Sequence, residues 1–360
     1  LVGRNRIYIM KKIKLGSKEI FNFSKPYIIA EIGANHNGDM DLARQMIDSA
    51  VLCGVDAVKF QSWSPSSLIA KEEFDRNQKY DDSPKKHFGS LKEMVEKYYL
   101  REEQHFELKD YCDSKNVAFC SSPFSEVEVD LLEKCDVPFY KVASMDINNF
   151  QLLNHIADRG KPVILSTGMS RLSEIDKAVE LLTKRNCNDI ALLHCISIYP
   201  PLYEDIHLNN ITMLQNTFGL PTGFSDHTIG FSIPLASVAL GSCIIEKHFT
   251  TDKNLPGWDH EISADPYEMK IICEESAKIA TSMGSFSRIV SEAELQKKFK
   301  FRRSVVVTKN LPEGHILTVD DLTSKRPGTG ISPDMLEHLI GRKLIVGIEE
   351  DTLLKWENII

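Results

Sequence analysis

Eight short apolar runs, each followed by a helix-like stretch, constrain this chain more than any other feature. They are YIIAEIG (27–33), AVKFQSW (57–63), VAFCSSPF (117–124), FYKVASM (139–145), PVILSTG (162–168), IALLHCI (190–196), GFSDH (223–227) and CIIEKHFT (243–250). Their apolar residues fall on consecutive positions, as in strands of a parallel sheet covered on both faces. Between them lie amphipathic segments such as LARQMIDSAVLCG, FSEVEVDLLEKC and LSEIDKAVELLTKR. Asp39, Ser125 and Ser173 are expected N-caps, and Gly54 and Gly160 expected helix stops. Eight β/α units between residues 26 and 285 match the size of an α/β (β/α)8 TIM barrel. A doubly wound open sheet is the alternative, weakened by the lack of a G-x-G-x-x-G after the first run.

Outside those units, residues 1–25 read as an N-terminal extension and lead-in, with 1–9 preceding a more natural start at Met10. Residues 64–116 form an insertion in which DDSPKKHFG (81–89) reads as mobile. The pattern changes after residue 285. Residues 286–300 read as a charged linker, and 301–360 as a small β-rich domain punctuated by the turn signals LPEG and KRPGTG. A domain of about 60 residues is marginal alone and is expected to dock on something.

The net charge of −8 argues against nucleic acid and anionic membranes as partners. The longest apolar stretch, Ile233 to Ile245, is broken by Pro234, Ser237, Gly241 and Ser242 and falls short of the ~20 residues a spanning helix needs. The 8 cysteines are scattered without a CxxC pair and sit in apolar runs, so they read as reduced core thiols of a cytoplasmic protein.

Barrel enzymes carry their chemistry at the carboxyl ends of the strands, and nearly every run here ends in polar residues. In order they are Glu31, Asn35 and His36; Lys59 and Gln61; Ser121 and Ser122; Lys141, Ser144 and Asp146. They continue with Ser166 and Thr167; His194 and Ser197; Ser225, Asp226 and His227; Glu246, Lys247 and His248. Two lysines and several hydroxyls around one mouth suit a multiply charged anion, most economically a phosphorylated substrate. His227 and His248, from adjacent runs, suit one divalent metal with open positions; two hydrogen-bonded histidines lining a pocket is the plainer reading. The loop LPGWDHEIS brings Asp259 and His260 to the same mouth. Arg326, in KRPGTG, reads as an anion or hydroxyl clamp, or as a surface turn.

AEIGANHNG, VKFQ, SSPF, YKVAS with NN following, STGM, LLHCISIYP, GFSDHT, EKHFT and GWDHEIS occur in this fixed order. Together with the C-terminal module they resemble the sialic acid synthase family, which includes N-acetylneuraminate and legionaminate synthases. The likeness covers roughly residues 16–360. It implies a (β/α)8 barrel joined to an antifreeze-like (SAF) domain, in a homodimer whose C-terminal domains are swapped. It implies a transferase that condenses phosphoenolpyruvate with N-acetylmannosamine or a related N-acylated amino sugar, using Mn2+ or Mg2+. By motif, the family's metal-ligating histidines fall on His227 and His248. Its phosphoenolpyruvate contacts fall on Lys59, Ser122, Lys141, Ser144, Ser166 and Ser225, and its sugar contacts on Glu31, Gln61, Tyr199 and Asp259. Arg326 matches the arginine that the partner's small domain contributes. Lys59 and Lys141 would stabilise developing charge, and Glu31, Asp259 and Asp146 are the acid–base candidates. Three positions depart from the pattern: Asp146 where some members have Glu, Ser197 where bacterial neuraminate enzymes carry Asn at a substrate position, and Trp258 in the GWDH loop. They leave the choice of sugar open. The competing readings are a Schiff-base aldolase using Lys141 or Lys59, and a non-catalytic carbohydrate- or ice-binding protein.

Overall fold

The computed structural model describes residues 11–76, 90–285 and 287–360; the stretches expected as an upstream extension (1–9) and a mobile loop (81–89) lie outside the described residues. The chain divides into two compact units, Leu1–Gly284 and Ser285–Ile360.

The first unit opens with a hairpin, β1 (Ile13–Leu15) and β2 (Lys18–Ile20). It is followed by β3 (Tyr27–Gly33), β4 (Ala57–Ser62), β5 (Ala118–Pro123), β6 (Tyr140–Val142), β7 (Val163–Ser166), β8 (Ile190–Cys195), β9 (Thr222–Asp226) and β10 (Ile244–His248). These last eight form one sheet in the order β5-β4-β3-β10-β9-β8-β7-β6, with parallel ladders. The first strand thus pairs with the last, and β5 and β6 flank the remaining seam. Intervening helices pack around this nearly closed TIM-type barrel.

Side-chain alternation sorts the strands into two faces. Ile28, Ala30, Val58, Phe119, Val142, Leu165, Leu192 and Ile245 face outward, in a core shared with helix residues such as Ala43, Met46, Leu108 and Leu182. Tyr27, Ile29, Cys120, Phe139, Ile164, Leu193 and Ile244 belong to a separate cluster with Ile13, Leu15 and Ile20 of the hairpin. The hairpin therefore plugs the amino end of the barrel with apolar side chains. The same inward face becomes polar toward the carboxyl end, through Glu31, Lys59, Gln61, Ser122, Lys141, Ser166, Ser225, Glu246 and His248. An apolar floor and a polar mouth follow from one period-two pattern.

The helix ends are partly as expected. Asp39 caps Met40–Cys53 by accepting from the Asp41 and Leu42 amides, and Gly54 ends that helix at φ 90°, a left-handed geometry that favours glycine. Ser125 occupies its N-cap position, but its hydroxyl turns to Glu128. Ser173 is not a cap. Helix Leu172–Lys184 begins one residue before it, because Glu174 reaches back to accept from the Arg171 amide (2.8 Å). Gly160 has φ 67°, but Asp158 is the cap residue of the helix that precedes it. All eight cysteines are free thiols; seven are buried and Cys273 is half-buried. Among the described residues no helix is long and apolar enough to cross a membrane.

In the second unit the charged stretch carries a 10-residue helix, Glu292–Phe301, capped by Ser291, with acidic residues in its first turn and lysines in its last, as the helix dipole favours. Beyond it β11 (Ser304–Val307) pairs antiparallel with β12 (Leu322–Lys325), and isolated bridges and short 3-10 turns complete the unit. Its core is built on Val305, Val307, Leu311, Leu317, Leu339, Leu344 and Leu354.

Asp321 is the unit's buried carboxylate. Its Oδ2 accepts from His315 Nε2 (2.8 Å), the Thr318 amide (2.8 Å) and the Thr318 hydroxyl (2.7 Å), and Lys309 Nζ lies 2.8 Å from Oδ1. Burial alone would raise its pKa; Lys309, His315 and Thr318 overcome that and hold it well below the ordinary carboxylate range. Its contribution is therefore fully present above about pH 4 and is lost only as pH falls through the depressed folded value. Asp321→Ala is expected to cost this unit about 3 kcal/mol at pH 7. Thermal unfolding followed at pH 7 and again below about pH 4 checks this, since the gap between variant and parent should narrow in acid.

Candidate active site

A cavity of about 250 Å³ opens at the carboxyl end of the barrel. It is lined by Glu31, Lys59, Gln61, Ser122, Lys141, Ser144, Ser166, Ser197, Tyr199, Ser225, His227 and His248. All of these were singled out from sequence; the strands place most of them by one rule, while Ser144, Ser197 and Tyr199 lie beyond their strand ends. The last one or two inward positions of β3, β4, β5, β6, β7, β9 and β10 supply Glu31, Lys59 with Gln61, Ser122, Lys141, Ser166, Ser225 and Glu246 with His248. His227 follows at the next inward position after β9. Ser144 stands on the 3-10 turn Ser144–Asp146, entered because β6 is only three residues long. Gly168 makes this corner possible: its amide donates to Ser144 Oγ (3.0 Å), and a Cβ there would lie 2.4 Å from Ser197 Oγ.

Two lysines and two glutamates share the floor of the cavity, all but buried. Lys59 Nζ is 2.6 Å from Glu31 Oε2 and 3.9 Å from Glu246 Oε2, and it donates to Ser122 Oγ (3.3 Å). Lys141 Nζ is 3.4 Å from Glu246 Oε1. Ser225 Oγ donates to Glu246 Oε1 (2.8 Å), and Gln61 Nε2 to Glu31 Oε1 (2.8 Å). Burial raises the Glu31 pKa despite Lys59. Burial opposes the charge on Lys59, but Glu246 and Glu31 outweigh it and raise its pKa. Burial likewise opposes ionisation of Glu246, and Lys141 and Lys59 outweigh it, so Glu246 is the firmer anion of the two. The Ser166 hydroxyl is buried in the same wall with no protein hydrogen-bond partner, as expected of a group kept for a ligand.

The histidines meet on the opposite wall. The His227 and His248 ring centroids are 5.3 Å apart, and Tyr199 packs 4.1 Å from His227. His227 Nδ1 donates to the Ile196 carbonyl (2.8 Å), which leaves Nε2 as the nitrogen open to a ligand; burial opposes charge on this ring, but Cys195 and the Ile196 carbonyl outweigh it and raise its pKa. Burial and then His227 drive the His248 pKa well below its usual value, keeping that ring neutral, and its Nδ1 is buried without a hydrogen bond. Two oriented imidazoles on adjacent strands suit a divalent metal, which would take His227 in its deprotonated form. Among the described residues no group of three His, Cys, Asp or Glu is arranged to hold one, so substrate and water would complete any coordination.

Three candidates stand elsewhere. Asp259 is beside the cavity rather than on its wall, with Oδ2 3.7 Å from His248 Nδ1. Its loop is tied to the barrel by Asn35, whose Oδ1 accepts from the Asp259 amide (3.3 Å). Asp146 ends the 3-10 turn with one buried oxygen unpaired and the other accepting from Asn149 (3.4 Å); burial raises its pKa against that hydrogen bond. Only its neighbours Ser144 and Met145 line the cavity. Arg326 belongs to the second unit, where its guanidinium lies 5.3 Å over the Phe301 ring. Sequence reasoning noted Glu246 as a strand end but did not carry it into the site; Phe124, Ala143, Met145, Met169 and Cys195 also line the cavity. Period-two counting back from His248 finds Glu246, whereas no polar signal marks the apolar five.

Residues 46–288 match the family model described as the NeuB family, and 302–360 match the SAF domain model. The chain is 41% identical over 351 residues to an uncharacterised protein of Methanocaldococcus jannaschii, covering 98% of this chain and 99% of that one. It is 36% identical over 356 residues to the N,N'-diacetyllegionaminic acid synthase of Legionella pneumophila, covering 96% and 99%. Among solved structures, the N-acetylneuraminic acid synthetase of Leptospira borgpetersenii superposes with TM-score 0.71 at 34% identity, covering 80% of this chain and 95% of that one. With a parallel barrel, a polar mouth and a second C-terminal unit already in place, these likenesses show that the chain belongs to the NeuB family of nonulosonic acid synthases and carries a C-terminal SAF domain.

Proposed function

We propose that this enzyme condenses phosphoenolpyruvate with N-acetylmannosamine or a closely related 2-acetamido sugar, giving N-acetylneuraminate or a related sialic acid plus phosphate. The observation that carries the reading is the pair of buried lysines ringed by Ser122, Ser144, Ser166 and Ser225 in one cavity. Lys59 and Lys141 would hold the phosphate and carboxylate of phosphoenolpyruvate, with the hydroxyls completing its hydrogen bonds. Glu31, Gln61, Tyr199 and Asp259 would orient the sugar. The enol C3 of phosphoenolpyruvate attacks the open-chain aldehyde, water adds at C2, and the tetrahedral intermediate expels phosphate. Glu31, its pKa raised by burial, and Asp259 would move protons between sugar and water. Ser197 contributes a further hydroxyl beside the sugar. Asp146 remains a proposed acid–base group one residue behind the cavity wall.

His227 and His248 would hold the metal, Mn2+ or Mg2+, which when bound supplies Lewis acidity at the sugar aldehyde. The unpaired Nδ1 of His248 supports this. A Schiff-base aldolase fits less well, because such chemistry needs a neutral amine and the carboxylates around Lys59 favour its charged form.

A second sugar is favoured by one specific likeness. The Legionella pneumophila relative is named for legionaminate, so 2,4-diacetamido-2,4,6-trideoxymannose is the alternative substrate. Phosphate release from phosphoenolpyruvate with Mn2+, offered one sugar and then the other, tests both. Turnover with N-acetylmannosamine alone identifies neuraminate synthesis, and preference for the trideoxy sugar identifies legionaminate synthesis. Phosphate release with neither, from metal-loaded protein, would overturn the reading.

We also propose a homodimer in which the partner's small domain brings Arg326 to the sugar. Support comes from the rim of the barrel, where Met145, Met169, Ile198, Leu202, Tyr203 and Ile229 are all exposed, an apolar collar of the kind that marks an interface. Arg326→Ala should raise the sugar KM about tenfold, the loss of one charge-assisted hydrogen bond. Mixing it with a Lys59→Met protein should restore activity, because one site in each swapped heterodimer would be whole. Absence of rescue between chains shown to exchange would rule out the swap.

A further inference from the structure

Asp226 and Lys247 form a buried ion pair that the proposed reaction leaves unused. They are register partners on β9 and β10. Lys247 Nζ lies 2.6 Å from Asp226 Oδ2, and the two side chains are 1% and 0% exposed. Alternation puts both on the helix-facing side of the sheet, in line with Phe224 and Ile245, which pack outside the barrel. A buried ion pair is weak evidence of stability, since apolar residues of similar volume often serve a fold as well. The remaining contacts indicate what this pair holds. Lys247 Nζ also donates to the Thr228 carbonyl (2.5 Å). Asp226 Oδ1 accepts from the Thr228 amide (3.0 Å), and Oδ2 from the Thr228 hydroxyl (3.1 Å). Residues 226 and 228 are thus tied on either side of His227, and the tie is made by Lys247, the chain neighbour of His248.

We infer that Lys247, Asp226 and Thr228 are positioning residues that lock His227 and His248 into one mutual geometry for a divalent cation. The inference rests on the metal reading above. The chain leaves β9 directly after Asp226, so nothing in the ladder restrains His227. The bracket supplies that restraint from behind the sheet, without occupying the cavity. Because Lys247 and His248 are consecutive in β10, the same group that pins the 226–228 turn is carried by the strand that presents the second imidazole.

Mn2+ titration of the full-length protein, followed by electron paramagnetic resonance without substrates, tests this. The paired variant Lys247→Met/Asp226→Asn keeps the core free of an unpaired charge and retains a side-chain acceptor for the Thr228 amide. It should weaken Mn2+ about 10- to 100-fold, the loss typical of removing groups that orient metal ligands. Phosphoenolpyruvate affinity measured in EDTA should change less than about twofold, because Lys59 and Lys141 stand on other strands and Asp226 and Lys247 face away from the cavity that Ser225 and Glu246 face. Thr228→Val removes only the hydroxyl and should weaken Mn2+ by a smaller factor. Parent-like Mn2+ affinity in the paired variant overturns the inference, as does an equal loss of phosphoenolpyruvate affinity, which would signal general loosening of the mouth. Should the paired variant not fold, parent-like affinity in Thr228→Val overturns it. A parent protein that takes up no Mn2+ fails the metal reading itself, a result distinct from a parent that binds and variants that bind as well.

Discussion

Lys59→Met is expected to lower kcat/KM for phosphoenolpyruvate by about 1,000-fold, or roughly 4 kcal/mol of transition-state stabilisation, while the barrel stays folded. The size follows from where the ammonium sits. It is almost wholly removed from solvent, 2.6 Å from Glu31 and 3.9 Å from Glu246, and it donates to Ser122. An anionic substrate entering the cavity meets a charge that water does not screen, so its loss is felt far more than that of a surface lysine. The fold should survive because burial already raises the Glu31 pKa; without Lys59 that carboxyl takes up a proton instead of standing as an unpaired buried anion. Glu246 keeps Lys141 and the Ser225 hydroxyl. Lys59→Arg should recover little, since a planar guanidinium is larger than the ammonium and presents its donors along different directions. Steady-state phosphate release together with calorimetric binding of phosphoenolpyruvate decides the matter. A variant within tenfold of the parent would remove Lys59 from the proposed anion site.

Much of this site was legible because a parallel barrel writes its chemistry at a regular place. Lys59 and Gln61, or Glu246 and His248, are two residues apart at a strand's carboxyl end, so they share the inward face. The same rule separates groups that a list of strand ends runs together. His194 points the other way and hydrogen-bonds the Ile206 carbonyl (2.6 Å). Ser121 joins a buried chain with Ser62 and His105, and Lys247 pairs with Asp226 behind the sheet. What the sequence hides is where alternation stops. β6 ends at Val142, and a 3-10 turn puts Ser144 and Met145 on the cavity wall but Asp146 behind it. No local pattern announces that break. Asp259 is set by contacts across more than 200 positions, because Asn35 accepts from its amide and donates to Ser263, which in turn holds the Asp259 carbonyl. Ser173 is a smaller instance, in which a glutamate side chain at 174 moved the helix start.

The histidine wall allows a sharper test than the anion site. His248→Ala should weaken Mn2+ by at least about 100-fold and lower turnover by about 1,000-fold or more with both substrates saturating, if the metal carries the polarisation of the aldehyde. Stability should change little. His248 faces a cavity, and its buried Nδ1 has no hydrogen bond to lose, so truncation gives up only the 3.7 Å approach to Asp259 and the ring contacts with Tyr199 and His227 while enlarging a space already open. His227→Ala is the informative contrast. It strands the Ile196 carbonyl, which accepts from Nδ1, and removes the ring against which Tyr199 packs, so it should cost about 1–3 kcal/mol of stability as well as activity. Measuring Mn2+ affinity, turnover and thermal midpoint on both variants therefore separates ligation from packing. A metal-ligand pair predicts equal losses of affinity and unequal losses of stability. Full turnover by His248→Ala in the presence of EDTA would show that these rings only line the pocket, and the catalytic burden would pass to Lys59, Lys141 and the carboxylates between them.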